Sequence, residues 1–131
     1  MVRDISVKFG EDAGKIWVTL SQRGLLCRSD LISVANLNDE EFQAGVGWLA
    51  RENKISRVDD DCFKLDFTNL GEEVGSQAGR VWRILDIWGE ADFLSLRRLS
   101  DLSEGEVHRA LGWLAREGKI VVNDAGKFCL K

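Results

Sequence analysis

The sequence contains no proline, no tyrosine and a single histidine, His108, among its 131 residues. It also lacks paired metal ligands and a glycine-rich phosphate loop following a strand, so it has few groups for acid–base, metal or phosphate chemistry. Gly45-Val46-Gly47 falls inside a predicted helix and is therefore not a nucleotide loop. We expect no enzymatic activity and no cofactor.

Cysteine is scarce as well. Cys27, Cys62 and Cys129 form no CxxC motif and no Cys/His cluster, which argues against structural zinc and favours free thiols. Cys62 and Cys129 both fall in predicted second wing strands, so a pairing between those two stays open. The triplet Asp59-Asp60-Asp61 lacks the alternating ligands and the glycine of a calcium loop, and we expect a solvated turn there. No metal is predicted.

The chain has no excess of basic residues and no long apolar run. Its formal net charge is −4, whereas proteins dedicated to nucleic-acid binding usually carry a basic balance, because phosphate contacts supply most of their affinity. No stretch approaches the ~18 apolar residues that span a bilayer, and the start lacks the apolar region of a signal peptide. We therefore expect a cytoplasmic protein with no membrane association.

The most informative feature that is present is an internal repeat. Residues 13–66 align with residues 78–131 without a gap, and 19 of the 54 aligned positions are identical. The longest match is Gly47–Glu52 with Gly112–Glu117, and residues 1–10 match residues 66–75 only at Gly10 and Gly75. Two small units therefore form the chain, which predicts domains at residues 1–66 and 67–131.

Each unit predicts the same order of elements. The third helix has the clearest start, since Asn38 with Glu41 and Ser103 with Glu106 fit capping boxes. The spacing of the apolar residues predicts first helices at 13–23 and 78–88, and short second helices at 30–36 and 95–101. Hydrophobic staples at the capping boxes fix a helix-turn-helix in each unit.

Two short apolar runs follow the third helix in each unit. Residues 54–58 and 62–65, and residues 119–122 and 127–130, flank turn-forming residues and predict two-stranded hairpins. The predicted fold is α+β and mainly helical: a tandem winged helix-turn-helix, each unit having three helices and a two-stranded wing. The alternation in residues 5–9 predicts an N-terminal arm on the first domain. Residues 67–75 are expected to form a linker that, without proline, is positioned by packing between the domains.

The string Ala110–Ile120, after Leu102–Val107, resembles a prokaryotic winged helix-turn-helix family known as a domain of unknown function. The first copy resembles it less closely, through Gly47–Ile55. The resemblance covers the chain as two copies. It implies the winged-helix fold and, through the superfamily, DNA binding, but it implies no substrate, cofactor or particular DNA contacts.

Helix geometry gives the second copy a candidate surface for double-stranded DNA. Its basic residues lie on the second helix, on the face of the third helix opposite the core, and on the wing, where a duplex would be positioned with the third helix in the major groove. The candidate DNA-binding residues are Arg97, Arg98, His108, Arg109, Arg116, Lys119 and Lys127. The first copy is poorly suited, because its wing tip is acidic. A solvated charged surface remains the alternative for the second copy.

The same face of the third helices also suggests a protein interface or a homodimer. A glycine inside an exposed helix costs ~1 kcal/mol relative to alanine, and both copies have one, Gly47 and Gly112. Either the backbone of DNA or of a protein partner approaches closely, or the glycines make room for the neighbouring tryptophans. The candidate interface residues are Ala44, Gly47, Trp48, Arg51, Gly112 and Trp113, with packing in the core or between the domains as the favoured alternative for the two tryptophans. We therefore expect a DNA-binding regulator, with a protein-interaction adaptor as the alternative.

Overall fold

Both halves of the chain contain the same elements in the same order. In the computed structural model, which describes residues 4–131, each half has three helices and three short strands. The first half consists of α1 (Ser6–Arg23), β1 (Leu26–Cys27), α2 (Arg28–Ala35), α3 (Asp39–Arg51), β2 (Ile55–Val58) and β3 (Cys62–Leu65). The second half consists of α4 (Gly71–Trp88), β4 (Glu90–Ala91), α5 (Phe93–Ser100), α6 (Glu104–Arg116), β5 (Ile120–Val122) and β6 (Phe128–Leu130). The predicted α+β, mainly helical class and the tandem winged-helix architecture are confirmed.

The third helix of each half begins at the predicted capping box. The Glu41 amide donates to the Asn38 side chain at 2.8 Å, and the Asn38 amide donates to the Glu41 carboxylate at 3.0 Å. Ser103 and Glu106 make the same reciprocal pair at 3.2 and 2.8 Å. These bonds satisfy amides that have no partner within the helix, and so they fix where α3 and α6 start.

The two predicted hairpins are confirmed, β2 with β3 and β5 with β6, and one further short strand extends each of them to a three-stranded antiparallel sheet. The strand orders are β1-β3-β2 and β4-β6-β5. The third strand in each sheet is the two-residue segment that follows the first helix, Leu26–Cys27 in one half and Glu90–Ala91 in the other. Two residues are too few to show an alternating pattern, which is why the sequence did not reveal these strands.

The first helix of each half is longer than predicted, and the prediction of an N-terminal arm on the first domain was wrong. α1 already begins at Ser6, and α4 begins at Gly71 inside the predicted linker. Residues 5–9 alternate like a strand, but Ile5 and Phe9 are also four apart, which places them on one face of a helical turn. Residues 1–3 of the predicted arm lie outside the described residues.

These extra helical turns cross between the halves. Ile5 and Phe9 pack against the core of the second half, whereas Leu70 and Val74 are buried in the core of the first. The Ser6 hydroxyl donates to the carbonyl of Ala115 at 3.2 Å. Each half thus completes the other's core, and the two cores remain separate clusters joined by this exchange.

The expectation of free thiols holds only for Cys129. Cys27 and Cys62 form a disulfide, because β1 places Cys27 directly opposite Cys62 of β3. The open pairing of Cys62 with Cys129 is therefore excluded. The equivalent positions in the second half are Asp92 and Lys127. Among the described residues, no helix is both long and apolar enough to cross a bilayer.

Candidate functional site

The third helices α3 and α6 lie side by side and run in the same direction. At their amino-terminal ends, carboxylate oxygens of Glu40 and Glu104 lie within 4.8 Å of each other. At their carboxyl-terminal ends, Arg51 pairs with Glu117 at 3.1 Å, and Arg116 pairs with Glu52 at 2.9 Å. The reciprocal pairing shows an approximate two-fold axis between the helices.

Two glycines allow this close approach. A Cβ atom added to Gly47 would overlap the backbone carbonyl of Arg109, and one added to Gly112 would overlap that of Ala44. Another backbone does approach these glycines, but it belongs to the other half of the same chain and not to DNA or to a partner protein, as we had expected. The alternative, that they make room for tryptophan, was wrong. Gly10 and Gly75 do that, since added Cβ atoms would lie 3.2 Å from the rings of Trp48 and Trp113.

Arg109 lies within this interface rather than on an exposed helix face. Its Nη1 donates to Oε1 of Gln43 at 2.6 Å, and its Nε is buried without a hydrogen-bond partner among the described residues. Desolvation by burial lowers the pKa of the guanidinium below its ordinary value, with a nearby Glu73 charge opposing that effect. A side chain held in this way is not available to contact a DNA base.

The carboxyl-terminal end of the helix pair carries a reciprocal aromatic and ionic arrangement. The guanidinium of Arg51 lies 5.8 Å from the ring centroid of Trp113, and that of Arg116 lies 5.8 Å from Trp48. Each arginine therefore contacts a glutamate and a tryptophan of the opposite half. These contacts tie the halves together beyond the glycine contacts.

The amino-terminal end is acidic and contains His108. Ligand atoms of Glu40, Glu104 and His108 lie within 4.8 Å of one another, and the histidine ring stacks on Phe93 with centroids 4.2 Å apart. Burial lowers the pKa of His108, although the neighbouring carboxylates of Glu40, Glu104 and Asp39 oppose that shift. Two carboxylates and one neutral imidazole are donors that divalent transition metals accept. The carboxylates of Asp39, Glu40 and Glu104 make the amino-terminal end of the helix pair acidic.

The predicted DNA surface is not one continuous stripe along an exposed α6. Arg97 and Arg98 are exposed on α5, and Lys127 is half-buried at the wing. Lys119 pairs with Glu117 at 3.5 Å. The residues on α6 do not join them on an open helix face: Arg109 is held by Gln43, Arg116 by Glu52, and His108 by its stacking on Phe93. The prediction of one continuous exposed face was wrong, because α3 covers it around Arg109, although Arg116 at the end of α6 stays 46% exposed.

The residues predicted as a partner interface do form an interface, within the chain itself. Ala44, Gly47 and Gly112 are buried between α3 and α6. Arg51 reaches across to the other half, and Trp48 and Trp113 pack against both cores. The internal contact therefore occupies the α3–α6 face that we predicted for a homodimer or another protein.

The sequence profile of the winged helix-turn-helix domain family DUF2582 matches residues 1–62 and again residues 70–130. The chain belongs to this family. Its two matches coincide with the two halves of the structure, so the suspected family and the tandem repeat are both confirmed. No match is found among curated proteins or among solved structures. Membership establishes the domain type and its duplication.

Sequence reasoning missed several residues of the DUF2582 helix pair. Gln43, the partner of Arg109, has no counterpart of the same type in the second half, and nothing in the sequence marks it. Glu52 and Glu117 could have been identified, since they are identical between the copies and adjoin the paired arginines. Gly10 and Gly75 could have been identified too, since they are the one identical pair between residues 1–10 and 66–75. Agreement between the copies was the usable signal in both cases.

Proposed function

We propose that this protein is a non-enzymatic interaction module, in which two winged helices joined through their third helices bind a protein partner rather than read duplex DNA. The observation that carries this proposal is the mutual burial of the α3 and α6 faces. In DNA-reading helix-turn-helix proteins the equivalent helix enters the major groove and touches base edges. Here that face packs against another helix through Gly47 and Gly112.

Electrostatics supports the same proposal. The amino-terminal ends of α3 and α6, which would lead into a groove, bring Asp39, Glu40 and Glu104 together. Phosphate contacts dominate the affinity of DNA-binding proteins, and a cluster of carboxylates opposes them. The net charge of −4 adds to this repulsion.

An apolar surface on the second half offers a place for a partner. Ile87 at the end of α4 is 71% exposed and Trp88 is 63% exposed, while Leu94 and Leu99 of α5 are also exposed. Trp88 and Leu99 line one cavity. Exposed apolar side chains that share a cavity can mark an interaction site, and Trp88 and Leu99 do so here.

The repeat supplies the matched variant that tests this proposal. The equivalents of Ile87 and Trp88 in the first half are Gln22 and Arg23. The double variant I87Q/W88R therefore gives the second half the first half's own surface, at positions exposed enough to leave folding intact. We expect a partner captured by the wild-type chain to be lost by this variant, with unchanged circular dichroism.

Duplex DNA provides the opposing measurement. We expect no binding of a fluorescent random-sequence duplex in anisotropy titrations, even at low salt. Affinity that falls steeply as salt rises would contradict the proposal.

A second candidate function is binding of a nucleic-acid backbone without base reading. The observation in its favour is that Arg97 and Arg98 are exposed on α5, with Lys127 on the nearby wing. Their combined loss in R97A/R98A would then weaken duplex binding about equally for all sequences. If the duplex binds and this variant abolishes binding, the second candidate replaces the first.

A further inference from the structure

Two equivalent grooves lie beside the carboxyl-terminal ends of α3 and α6. The first has a volume of about 290 Å³ and runs between α1 and α3, with Trp17 and Trp48 along it. The second has a volume of about 480 Å³ and runs between α4 and α6, with Trp82 and Trp113 in the same places. We call these the twin grooves.

Every residue that lines the second groove has an identical counterpart in the first. The floor is Gly10, Ala13 and Gly14 in one, and Gly75, Ala78 and Gly79 in the other. The rim carries Glu52 and Lys54 in one, and Glu117 and Lys119 in the other. Only 19 of the 54 aligned positions agree overall, and seven of those 19 line the grooves, where every lining position of the second groove agrees.

Packing explains part of this agreement. Ala13 and Ala78 are buried, Gly10 and Gly75 lie under the tryptophan rings, and Glu52 and Glu117 bind arginines of the opposite half. Substituting the alanines or these glycines would disturb buried packing, and substituting the glutamates would remove ion pairs between the halves. These positions alone would not indicate a ligand.

Packing does not explain Gly14 and Gly79. Both are exposed within helices, and a Cβ atom added to either would meet nothing within 4 Å. Glycine there costs ~1 kcal/mol of stability relative to alanine, with no neighbour that requires it. Trp17 and Trp82 are likewise identical although they are 43% and 38% exposed. A molecule that rests on the open glycine floor between the tryptophans would require both features.

The charge around each groove favours an anionic occupant. The Lys54 side chain is 51% exposed and the Arg116 side chain is 46% exposed, while the Glu52 carboxylate between them is only 17% exposed. Lys119, Arg51 and Glu117 repeat this arrangement, with the same values, at the second groove. At each rim the half-exposed lysine and the arginine beside the groove tryptophan both pair with one shielded carboxylate, which leaves one net positive charge there in a chain that is acidic as a whole.

We propose that each of the twin grooves binds an acidic peptide segment of a partner protein. A large apolar or aromatic side chain lies on the glycine floor between the two tryptophans, and flanking carboxylates face the lysine and the arginine of the rim. This inference rests on the proposed protein-binding role and specifies the partner's chemistry. The chain carries two such sites, so a partner with two acidic segments gains affinity from engaging both.

The five tryptophan indole N–H signals of the full chain provide the readout. Trp17, Trp48, Trp82 and Trp113 line the twin grooves, and Trp88 lies outside them as an internal control. The probe is the N-acetylated, C-amidated tripeptide Glu-Phe-Glu, titrated in ¹⁵N–¹H spectra. We expect the four groove signals to shift, the Trp88 signal to stay, and the tripeptides Lys-Phe-Lys and Glu-Ala-Glu to bind at least about tenfold more weakly.

Two pairs of variants separate recognition from structure. G14A/G79A adds methyl groups to both floors, so we expect affinity to fall at least about tenfold while thermal stability rises, because alanine favours the helix. A purely structural role for these glycines would not lower affinity while raising stability. K54Q/K119Q should weaken binding about two- to fivefold, as expected for exposed charges. S21A, on the exposed surface of α1 outside the groove, should leave affinity unchanged.

The proposal is overturned if Glu-Phe-Glu shifts no groove signal up to millimolar concentration, or if Lys-Phe-Lys binds equally well. It is also overturned if single- or double-stranded nucleic acid shifts the same four signals more strongly than the peptide does. These results leave the capture experiment with I87Q/W88R intact, because that experiment tests a different surface. A partner lost from I87Q/W88R but kept by G14A/G79A would support the interaction module while rejecting the groove as its site.

Discussion

In the first half of the molecule the Cys27–Cys62 disulfide ties the short strand after α1 to the wing, whereas in the second half the same positions are Asp92 and Lys127. The surface nearby differs as well, with Gln22 and Arg23 in one half and Ile87 and Trp88 in the other. The two halves have therefore diverged in covalent linkage at the wing edge and in surface polarity at the end of the first helix.

The region where α3 meets α6 shows the opposite behaviour. Gly47 and Gly112 are identical, as are the Arg51–Glu52 and Arg116–Glu117 sequences that exchange ion pairs. Because each half must fit the other's surface, a change at this contact disturbs two sites at once. Residues at the α3–α6 contact are therefore constrained by the opposite half, whereas residues at the wing edge and at the end of the first helix could change independently.

The largest loss of stability is expected from substitutions at the centre of the α3–α6 contact. G47A or G112A places a methyl group against a backbone carbonyl of the opposite helix, which cannot move without separating the halves. We expect each variant to lose more than about 3 kcal/mol of unfolding free energy in urea titrations, and by similar amounts. G14A and G79A are the matched controls and should gain up to ~1 kcal/mol. Unequal losses from G47A and G112A would argue against the two-fold arrangement.

The disulfide tests the asymmetric side of the comparison. Opening the Cys27–Cys62 bond removes a link between positions 35 residues apart and should cost about 2–3 kcal/mol, mainly by enlarging the unfolded ensemble. The double variant C27D/C62K gives the first half the residues of the second, and we expect its melting temperature to match that of the reduced wild type. C129S removes only the free thiol and is the control, so its melting temperature and its response to reductant should match those of the wild type. A melting temperature that is insensitive to reductant would contradict this linkage.

His108 breaks the symmetry of the helix pair, since its counterpart is Gln43. Burial lowers its pKa below the ordinary 6.5, so the unfolded chain takes up a proton more readily than the folded one. The unfolding free energy should therefore fall as the pH drops from 7.5 to 5.5. The nearby carboxylates of Glu40, Glu104 and Asp39 limit the effect. H108Q should flatten this part of the stability profile, and an unchanged slope would show that other groups titrate there.

Much of the fold was predictable from the sequence because the same helix and strand signals occur at equivalent positions in both copies. The capping boxes at Asn38 and Ser103 fix the third helices from purely local bonds, and the structure agrees with them. The additional strand and the first turns of α1 and α4 were not predictable, because they depend on pairing and packing with distant residues.

The candidate site was predictable only in part. Helix periodicity correctly placed Ala44, Gly47 and Arg109 away from their own cores, but it gives no information on what covers that face. We interpreted the arginines as DNA contacts, although the small residues beside them are equally typical of close helix packing. The deciding observation, overlap of an added Cβ with the opposite backbone, exists only in three dimensions.

The smallest loss of stability is expected at the exposed carboxyl-terminal end of the helix pair, where it tests whether the two-fold symmetry extends to the ion pairs. Arg51 and Arg116 each contact a glutamate and a tryptophan of the other half, with 46% of each side chain exposed. Exposed ion pairs and cation–π contacts are worth little in water, so R51A and R116A should each cost about 0.5 kcal/mol. Because the two environments are equivalent, the losses should agree within error and diminish at high salt. R23A, at the exposed end of α1, is the control for removing a charge alone. A loss confined to R116A would show that the symmetry of the contacts does not extend to their energies.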